Sequence, residues 1–159
     1  MSVAKVDGFG VRSLGDGYVV NTESRARLVR MIANAAITLG DAVCIDVTKG
    51  GATGEAGYGN YVVKANQGAS ATAFAVGIAT SAAASGDIFE IQVGGYSSIA
   101  KLLDQSDANG DLLTASSTDG NLTITSEAED GPALALLLVE SGNNNTADTK
   151  VFLLNPANL

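Results

Sequence analysis

The chain has 159 residues and contains no histidine, no tryptophan, one cysteine and two prolines. Without histidine it lacks the commonest general base, the usual nucleophilic triads and most zinc sites. The single cysteine, Cys44, permits no disulfide within the chain, and its small apolar neighbours predict a buried side chain rather than a reactive thiol. Two prolines and a hydrophobic content of 46% predict a globular chain rather than a disordered linker.

Long apolar runs and basic stripes are also missing. Because no run of about 18 apolar residues occurs, we expect no membrane partner. Residues 1–7 lack the apolar stretch of a signal peptide, so we expect no export. The net charge is −8, and no stripe of basic residues carries interleaved aromatics. We therefore expect nucleic acid not to be a partner either.

What the chain does have is a Gly-Asp pair that occurs four times, each time just before residues that suit a β-strand. Glycine tolerates the positive φ of a tight reversal, and aspartate can bond its own downstream backbone. Each pair thus predicts a turn that starts a strand, at Gly15, Gly40, Gly86 and Gly110. The sequence predicts an all-β fold, a small antiparallel β-barrel or β-sandwich.

The first part of the chain is expected to differ from the rest. Four glycines interrupt residues 1–24, which we interpret as an N-terminal arm that precedes a single β domain over residues 25–159. Residues 25–33 could form a short helix or a strand, and the nearby Gly40 turn favours the strand. Residues 50–59 are rich in glycine and predict a loop. In residues 89–93 the alternation places Phe89, Ile91 and Val93 inward and Glu90 and Gln92 outward.

The last third predicts a hairpin, formed by residues 134–139 and 151–154 around a polar turn. Neither strand alternates, so both faces of the hairpin are apolar and a second partner must cover one of them. That partner could be the arm, a loop or another subunit, and exposed apolar patches usually mark association. We expect a subunit interface at Leu136, Leu138, Phe152 and Leu154.

The first 30 residues hold five of the nine basic residues of an otherwise acidic chain. Arginine pairs well with carboxylates on a partner surface. A contact with an acidic surface of a partner protein or of a neighbouring subunit is therefore a hypothesis for Arg12, Arg25, Arg27 and Arg30, and the alternative is a solvated terminus.

No group of residues predicts catalysis or a bound cofactor. Glu127, Glu129 and Asp130 lie in a polar segment, and paired carboxylates could in principle do acid and base work. Residues 105–110 have the oxygen-rich spacing of a calcium loop, but Gln105 and Ser116 stand where ligating acids belong, which favours a plain turn. We expect no enzyme activity, no metal and no cofactor.

Three segments carry a resemblance to a known family: residues 40–46, with Gly-Asp-Ala-Val-Cys-Ile-Asp, residues 75–79 and residues 86–95. Over residues 26–99 the chain resembles small capsid decoration proteins of tailed phages, also called cement proteins, long catalogued as a domain of unknown function. The resemblance implies a β-barrel or β-sandwich, commonly a homotrimer on threefold positions of the head, and no enzymatic activity.

These observations lead to one functional expectation and one alternative. We expect a structural virion protein, made in the host cytoplasm, that binds the major capsid protein on the capsid surface and stabilises the shell. A decoration protein needs surface complementarity and symmetry rather than reactive groups. The alternative is a β-sandwich module of a fibre or baseplate that binds carbohydrate or a receptor. Such sites favour exposed aromatic platforms, for which Tyr18, Tyr58, Tyr61 and Tyr96 are the candidates.

Overall fold

The structure, a computed structural model, describes residues 11–14, 18–21, 26–49, 59–69, 72–103, 109–125, 132–139 and 146–154. Within these ranges every regular element is a strand, as the sequence predicts. The strands are Val11–Leu14 (β1), Tyr18–Asn21 (β2), Arg27–Ala33 (β3), Ala42–Ile45 (β4), Tyr61–Lys64 (β5), Ala75–Ala79 (β6), Ile88–Lys101 (β7), Leu112–Ala115 (β8), Leu122–Ile124 (β9), Ala135–Val139 (β10) and Ala147–Leu153 (β11). β1 and β2 pair as an antiparallel hairpin within the expected arm.

Five strands close a barrel. β3 pairs with β5, β5 with β4, β4 with β6, β6 with β7, and β7 returns to β3. Only the β3–β5 pair is parallel. The interior is filled by apolar side chains from all five strands, which range in size from Ala33 to Phe89, and Ile37 and Ala83 close one end through an isolated bridge. Residues 27–33 are therefore a strand, which confirms the favoured interpretation.

A second sheet grows from the long strand β7. The first half of β7 pairs with β3, and the second half pairs with β11. The order continues through β10, β8 and β9, and a parallel bridge between Leu102 and Leu122 brings β9 back to the end of β7. This sheet packs on the outside of the barrel, where Ala42, Cys44 and Ile78 face it. Alternation along β4 explains the division, since Val43 points into the barrel and its neighbours point out.

The Gly-Asp turns form as predicted wherever the structure describes them. Gly40, Gly86 and Gly110 have φ values of 82°, 93° and 102° and stand before β4, β7 and β8. The pair at Gly15 lies outside the described residues. At Gly40 the need for glycine is also steric, because a Cβ would overlap the carbonyl oxygen of Ile99 and the Cβ of Ala147.

One prediction for β7 is right in direction and wrong in exposure. Gln92, expected to face water, is 6% exposed. Its side-chain amide donates to the carbonyl oxygens of Tyr96, at 2.7 Å, and Gly94, at 3.3 Å, and Gly95 between them has a φ of 85°. Gln92 pairs with Ile78, which faces the second sheet, so its side chain leaves the barrel as alternation predicts and is buried beneath that sheet. Its amide there donates to the two carbonyl groups at the bend of β7.

Candidate interaction surfaces

Among the described residues Asp41 is the most buried charged group, and both of its carboxylate oxygens bond to residues of the fold. Its carboxylate is 3.1 Å from Lys64 Nζ and 2.6 Å from Lys101 Nζ, and it accepts the backbone N–H of Thr38 at 2.8 Å. Burial alone would raise the pKa of Asp41, but the hydrogen bonds from Lys101, Thr38 and Lys64 outweigh it and hold the pKa below 3.8. The group joins the barrel to the end of β7 and has no free oxygen for chemistry.

A second carboxylate, Asp46, closes the turn after β4. It accepts the Thr48 backbone N–H at 2.9 Å and hydroxyl at 2.6 Å, and Asn34 Nδ2 at 2.5 Å. Burial alone would raise the pKa of Asp46, but these hydrogen bonds outweigh it and lower the pKa. The carboxylate and Thr48 line an open depression of about 610 Å³ together with Asp119, which accepts from Asn66 at 2.5 Å. These acids too are held by neighbours within the fold.

The other described side chains that could act as nucleophiles or metal ligands are buried or lie far apart. Cys44 is 2% exposed, as the sequence predicts, and burial followed by the nearby Asp46 charge raises its pKa to about 11. In the part of the chain that the structure describes, no three His, Cys, Asp or Glu side chains lie close enough to hold a metal ion. The described residues also include no helix long and apolar enough to cross a membrane.

The outer face of the second sheet carries a continuous line of apolar side chains. Leu112 on β8 pairs with Leu136 on β10, Leu136 pairs with Phe152 on β11, and Phe152 pairs with Tyr96 on β7. Leu112 is 46% exposed and Tyr96 is 44% exposed, and the two between them are half-buried. We call these four residues the apolar row.

The four residues expected at a subunit interface lie in or beside the apolar row. Leu136 and Phe152 belong to it. Leu138 lies on β10 and Leu154 directly follows β11, and both are half-buried. Their neighbours Leu137 and Leu153 face the core, so the hairpin is apolar on both sides as predicted. That these residues contact another subunit stays a prediction.

Sequence reasoning missed two members of the row, Leu112 and Tyr96. Both come from strands that are distant in the chain from the hairpin, and only the pairing register brings them into line. The clean alternation of apolar and polar residues that marks a single strand carries no information about which strands become neighbours.

A third surface lies on the first half of β3. Residues 26–30 are all exposed, and β5 pairs only with Ile32 and Ala33 at the far end of the strand. The backbone N–H of Ile32 points away from β7 and donates to the carbonyl oxygen of Asn60. Because backbone N–H groups alternate in direction along a strand, those of Leu28 and Arg30 point to the same side. Among the described residues, no strand pairs with Leu28 and Arg30 on this side. We call residues 27–30 the β3 edge.

Of the four arginines expected to contact a partner, three lie in the described residues and one does not. Arg27 and Arg30 lie on the β3 edge, where Arg30 is 3.4 Å from Glu90 and its side chain is 79% exposed. Arg12 lies in β1, which the structure describes by its backbone, and Arg25 is outside the described residues. Two of the four are thus on a barrel strand rather than in the arm, and their role stays a prediction.

The chain is similar in fold to a phage head protein. The crystal structure of the N base of the head fibre gp8.5 of bacteriophage phi29 matches it with a TM-score of 0.52 and 14% sequence identity. The match covers 80% of this chain and 93% of that chain. No protein-family model and no curated protein matches the sequence. At this identity the likeness shows the fold, and it is not a match to the decoration family that the sequence resembles.

Proposed function

We propose that the chain is a structural protein of a phage virion that sits on the outside of the head and stabilises the shell as a decoration protein. The observation that carries this is the fold shared with the phi29 head fibre base over most of both chains. The sequence resemblance to decoration proteins over residues 26–99 points to the same location. The two are independent, since one rests on strand arrangement and the other on short sequence motifs.

The internal chemistry of the fold is consistent with such a role. Its buried carboxylates stabilise turns and join strands, while its exposed features include an apolar row and a strand edge. A protein that binds only the assembled shell stabilises that shell by mass action, and it needs complementary surfaces to do so. We therefore assign binding, not catalysis, to the surfaces of this chain.

The β3 edge is the surface we assign to the major capsid protein. An exposed strand edge offers main-chain hydrogen bonds to an extended segment of a partner. Arg27 and Arg30 flank Leu28, which is 51% exposed, so a partner strand would meet cations around an apolar side chain. Carboxylates of an acidic coat-protein segment would pair with both arginines.

Binding of the purified chain to shells assembled from the major capsid protein encoded in the same phage genome tests this function. We expect the chain to sediment with intact shells at saturable stoichiometry and to raise the temperature at which the shells disassemble. Leu28→Pro removes a backbone N–H that points away from β7, so folding should persist while strand addition is blocked. Leu28→Thr keeps that N–H and serves as the matched control.

The two Leu28 variants test the contact surface, and the wild-type chain tests the function. Loss of shell binding in Leu28→Pro, with binding kept in Leu28→Thr and equal thermal stability of both, supports the β3 edge as the contact. If the wild-type chain leaves shells undecorated at saturating concentration, the decoration function is wrong.

A second candidate follows from the phi29 structure, which is the N base of a head fibre. A base module would hold a further fibre chain or a receptor-binding part rather than strengthen the shell. Shell binding without any rise in disassembly temperature, together with retention of a fibre protein from the same genome, would favour this candidate. Binding to host-cell glycans by the isolated chain would favour the receptor module.

A further inference from the structure

The core of the barrel reaches solvent beside the β3 edge. Every second residue of β3 faces the barrel, and of these Met31 and Ala33 are buried whereas Val29 is 37% exposed. Val29 pairs with Ile91, so Val93 on β7 is its diagonal neighbour on the same face. Val93 is only half-buried, although it packs against the barrel core. The two valines therefore leave apolar surface of the core open to water.

This opening lies where the barrel wall lacks a strand. β5 begins at Tyr61, which pairs with Ile32, and no described strand lies beside residues 27–30 on that side of β3. Gly59, two residues before β5, has a φ of 74°, which is far from the φ of a strand residue. The line of β5 therefore ends there, and the β3 edge and Val29 border the same gap in the wall.

A strand added in this gap would contact both the edge and the open core. Residues of a strand alternate between its two faces, and neighbours on paired strands share a face. The partner residue opposite Val29 would point towards the barrel core, and the adjacent residue, opposite Arg30, would point outward.

The outward face of the gap favours an acidic side chain. Arg30 has one exposed pairing, at 3.4 Å from Glu90, and its own side chain remains 79% exposed. Arg27 is also exposed at the start of the same strand. A carboxylate on the added strand would meet a guanidinium that keeps most of its donors in water.

We infer that the capsid segment that binds the β3 edge completes the barrel wall, with an apolar side chain against Val29 and an acidic side chain beside Arg30. The inference rests on the proposed function and adds the chemistry of the partner, an extended segment in which an apolar and an acidic residue are adjacent. Main-chain hydrogen bonds hold such a strand in register, and burial of apolar surface on the open core adds affinity that an edge alone lacks.

Thiol labelling of single-cysteine variants tests whether the gap is filled. Val29→Cys is compared with Leu39→Cys, because Leu39 is 41% exposed and lies two residues after Ile37, at the closed end of the barrel. The natural Cys44 is 2% exposed and does not compete for the label. Each variant is treated with a maleimide as the free chain and on shells of the major capsid protein.

The free Val29→Cys chain should react at a rate similar to that of Leu39→Cys. On shells we expect labelling of Val29→Cys to slow at least about tenfold and that of Leu39→Cys to slow less than about threefold, because only a buried thiol is protected. Val29→Cys that is already protected in the free chain would show that a segment of this chain fills the gap, and that result would overturn the inference. Equal slowing of the two variants on shells would overturn it too.

Shell binding of charged variants supplies the second readout. Val29→Asp should raise the dissociation constant for shells at least about tenfold, because its carboxylate would face the apolar side chain of the partner. Leu39→Asp adds the same charge at the closed end and should raise the constant less than about threefold. Thermal unfolding of both free variants checks that they fold, and the labelling result stands without them.

Charge reversal tests the acidic side chain of the partner. Arg30→Glu should weaken shell binding at least about tenfold, because it sets like charges against each other in the gap. Lys150→Glu makes the same change in net charge at an exposed position of the second sheet and is the matched control. Equal losses in these two variants would show that no acidic side chain meets Arg30.

The wild-type chain separates this inference from the function on which it rests. If the wild type does not bind shells, the proposed function is wrong and the inference falls with it. If the wild type binds and Val29→Cys on shells is labelled as fast as in the free chain, the function stands and the inference alone is wrong.

Discussion

Lys101 Nζ lies 2.6 Å from Asp41 Oδ1, so the end of β7 meets the residue before β4 although 60 positions separate them. Lys101 also donates to the Thr38 hydroxyl at 2.6 Å, and Lys64 reaches the other carboxylate oxygen from β5. Asp41 is 1% exposed, so these contacts form largely away from water. The cluster fixes where β7 leaves the barrel, and thereby where the second sheet begins.

Replacing this carboxylate should destabilise the fold strongly. Asp41→Asn leaves two lysine ammonium groups without their anion, and we expect the free energy of unfolding to fall by about 3 kcal/mol. This is the lower end for a broken buried pair, because the lysine side chains are 14% and 31% exposed. Urea unfolding followed by circular dichroism measures the change.

Glu90→Gln is the matched control for that substitution. It removes an ion pair with Arg30 that is exposed on both sides, and such pairs contribute about 0 to 1 kcal/mol. If Asp41→Asn costs no more than Glu90→Gln, the buried cluster does not have the structural role assigned to it.

Stability should fall in acid. The pKa values of Asp41 and Asp46 are lowered in the folded state from an ordinary value of 3.8. Their stabilising contribution is therefore complete above that value and is lost as the pH falls through 3.8 towards the folded pKa values. We expect the free energy of unfolding to be flat from pH 7 to about pH 5 and to decline below pH 4.

The double variant Asp41→Asn, Asp46→Asn isolates this effect from the other acidic groups. It should be less stable at pH 7 and should lose less stability than the wild type between pH 5 and pH 3. Parallel declines of the two proteins over that interval would show that other carboxylates account for the acid sensitivity.

Glycines 40 and 86 should respond differently to the same substitution. Both have positive φ, which costs an alanine about 1 to 2 kcal/mol, but a Cβ at Gly86 meets open space and one at Gly40 meets Ile99 and Ala147. We expect Gly86→Ala to fold with that modest loss and Gly40→Ala to lose well over twice as much or to be insoluble. Thermal unfolding of the two proteins side by side provides the measurement, and equal losses would contradict the packing described at Gly40.

Gln92 should be sensitive to loss of its donor rather than to loss of its shape. Gln92→Met removes the bonds to the Gly94 and Tyr96 carbonyl groups and should cost about 1 to 3 kcal/mol. Gln92→Glu sets a carboxylate against the same carbonyls and should cost more at pH 7. A Gln92→Glu protein more stable than Gln92→Met would show that the amide does not hold the bend of β7.

These sites show which parts of the fold the sequence could predict. The Gly-Asp turns are local, since glycine's positive φ and the adjacent aspartate act within a few residues, and all three that the structure describes form as expected. The strand nature of residues 27–33 also follows from neighbours in the chain. The exposure expected for Gln92 is wrong although its outward direction is right, because the second sheet covers that face of the barrel and a pattern within one strand does not contain that contact.

The candidate surfaces were predictable only in part, for a related reason. The doubly apolar hairpin is visible in the sequence at Leu136 and Phe152. Its extension to Leu112 and Tyr96 depends on which strands become neighbours, and the β3 edge depends on where β5 stops pairing. Both are results of tertiary arrangement that a pattern within one strand does not contain.

Cryo-electron microscopy of virions is the most direct test of the central claim. If the proposed function is right, virions that carry the chain can be compared with particles from which its gene has been deleted. The account predicts difference density on the outer surface of the head that fits the barrel and second sheet, with the β3 edge against the major capsid protein. Identical maps of the two particles, or difference density confined to the tail, would contradict it.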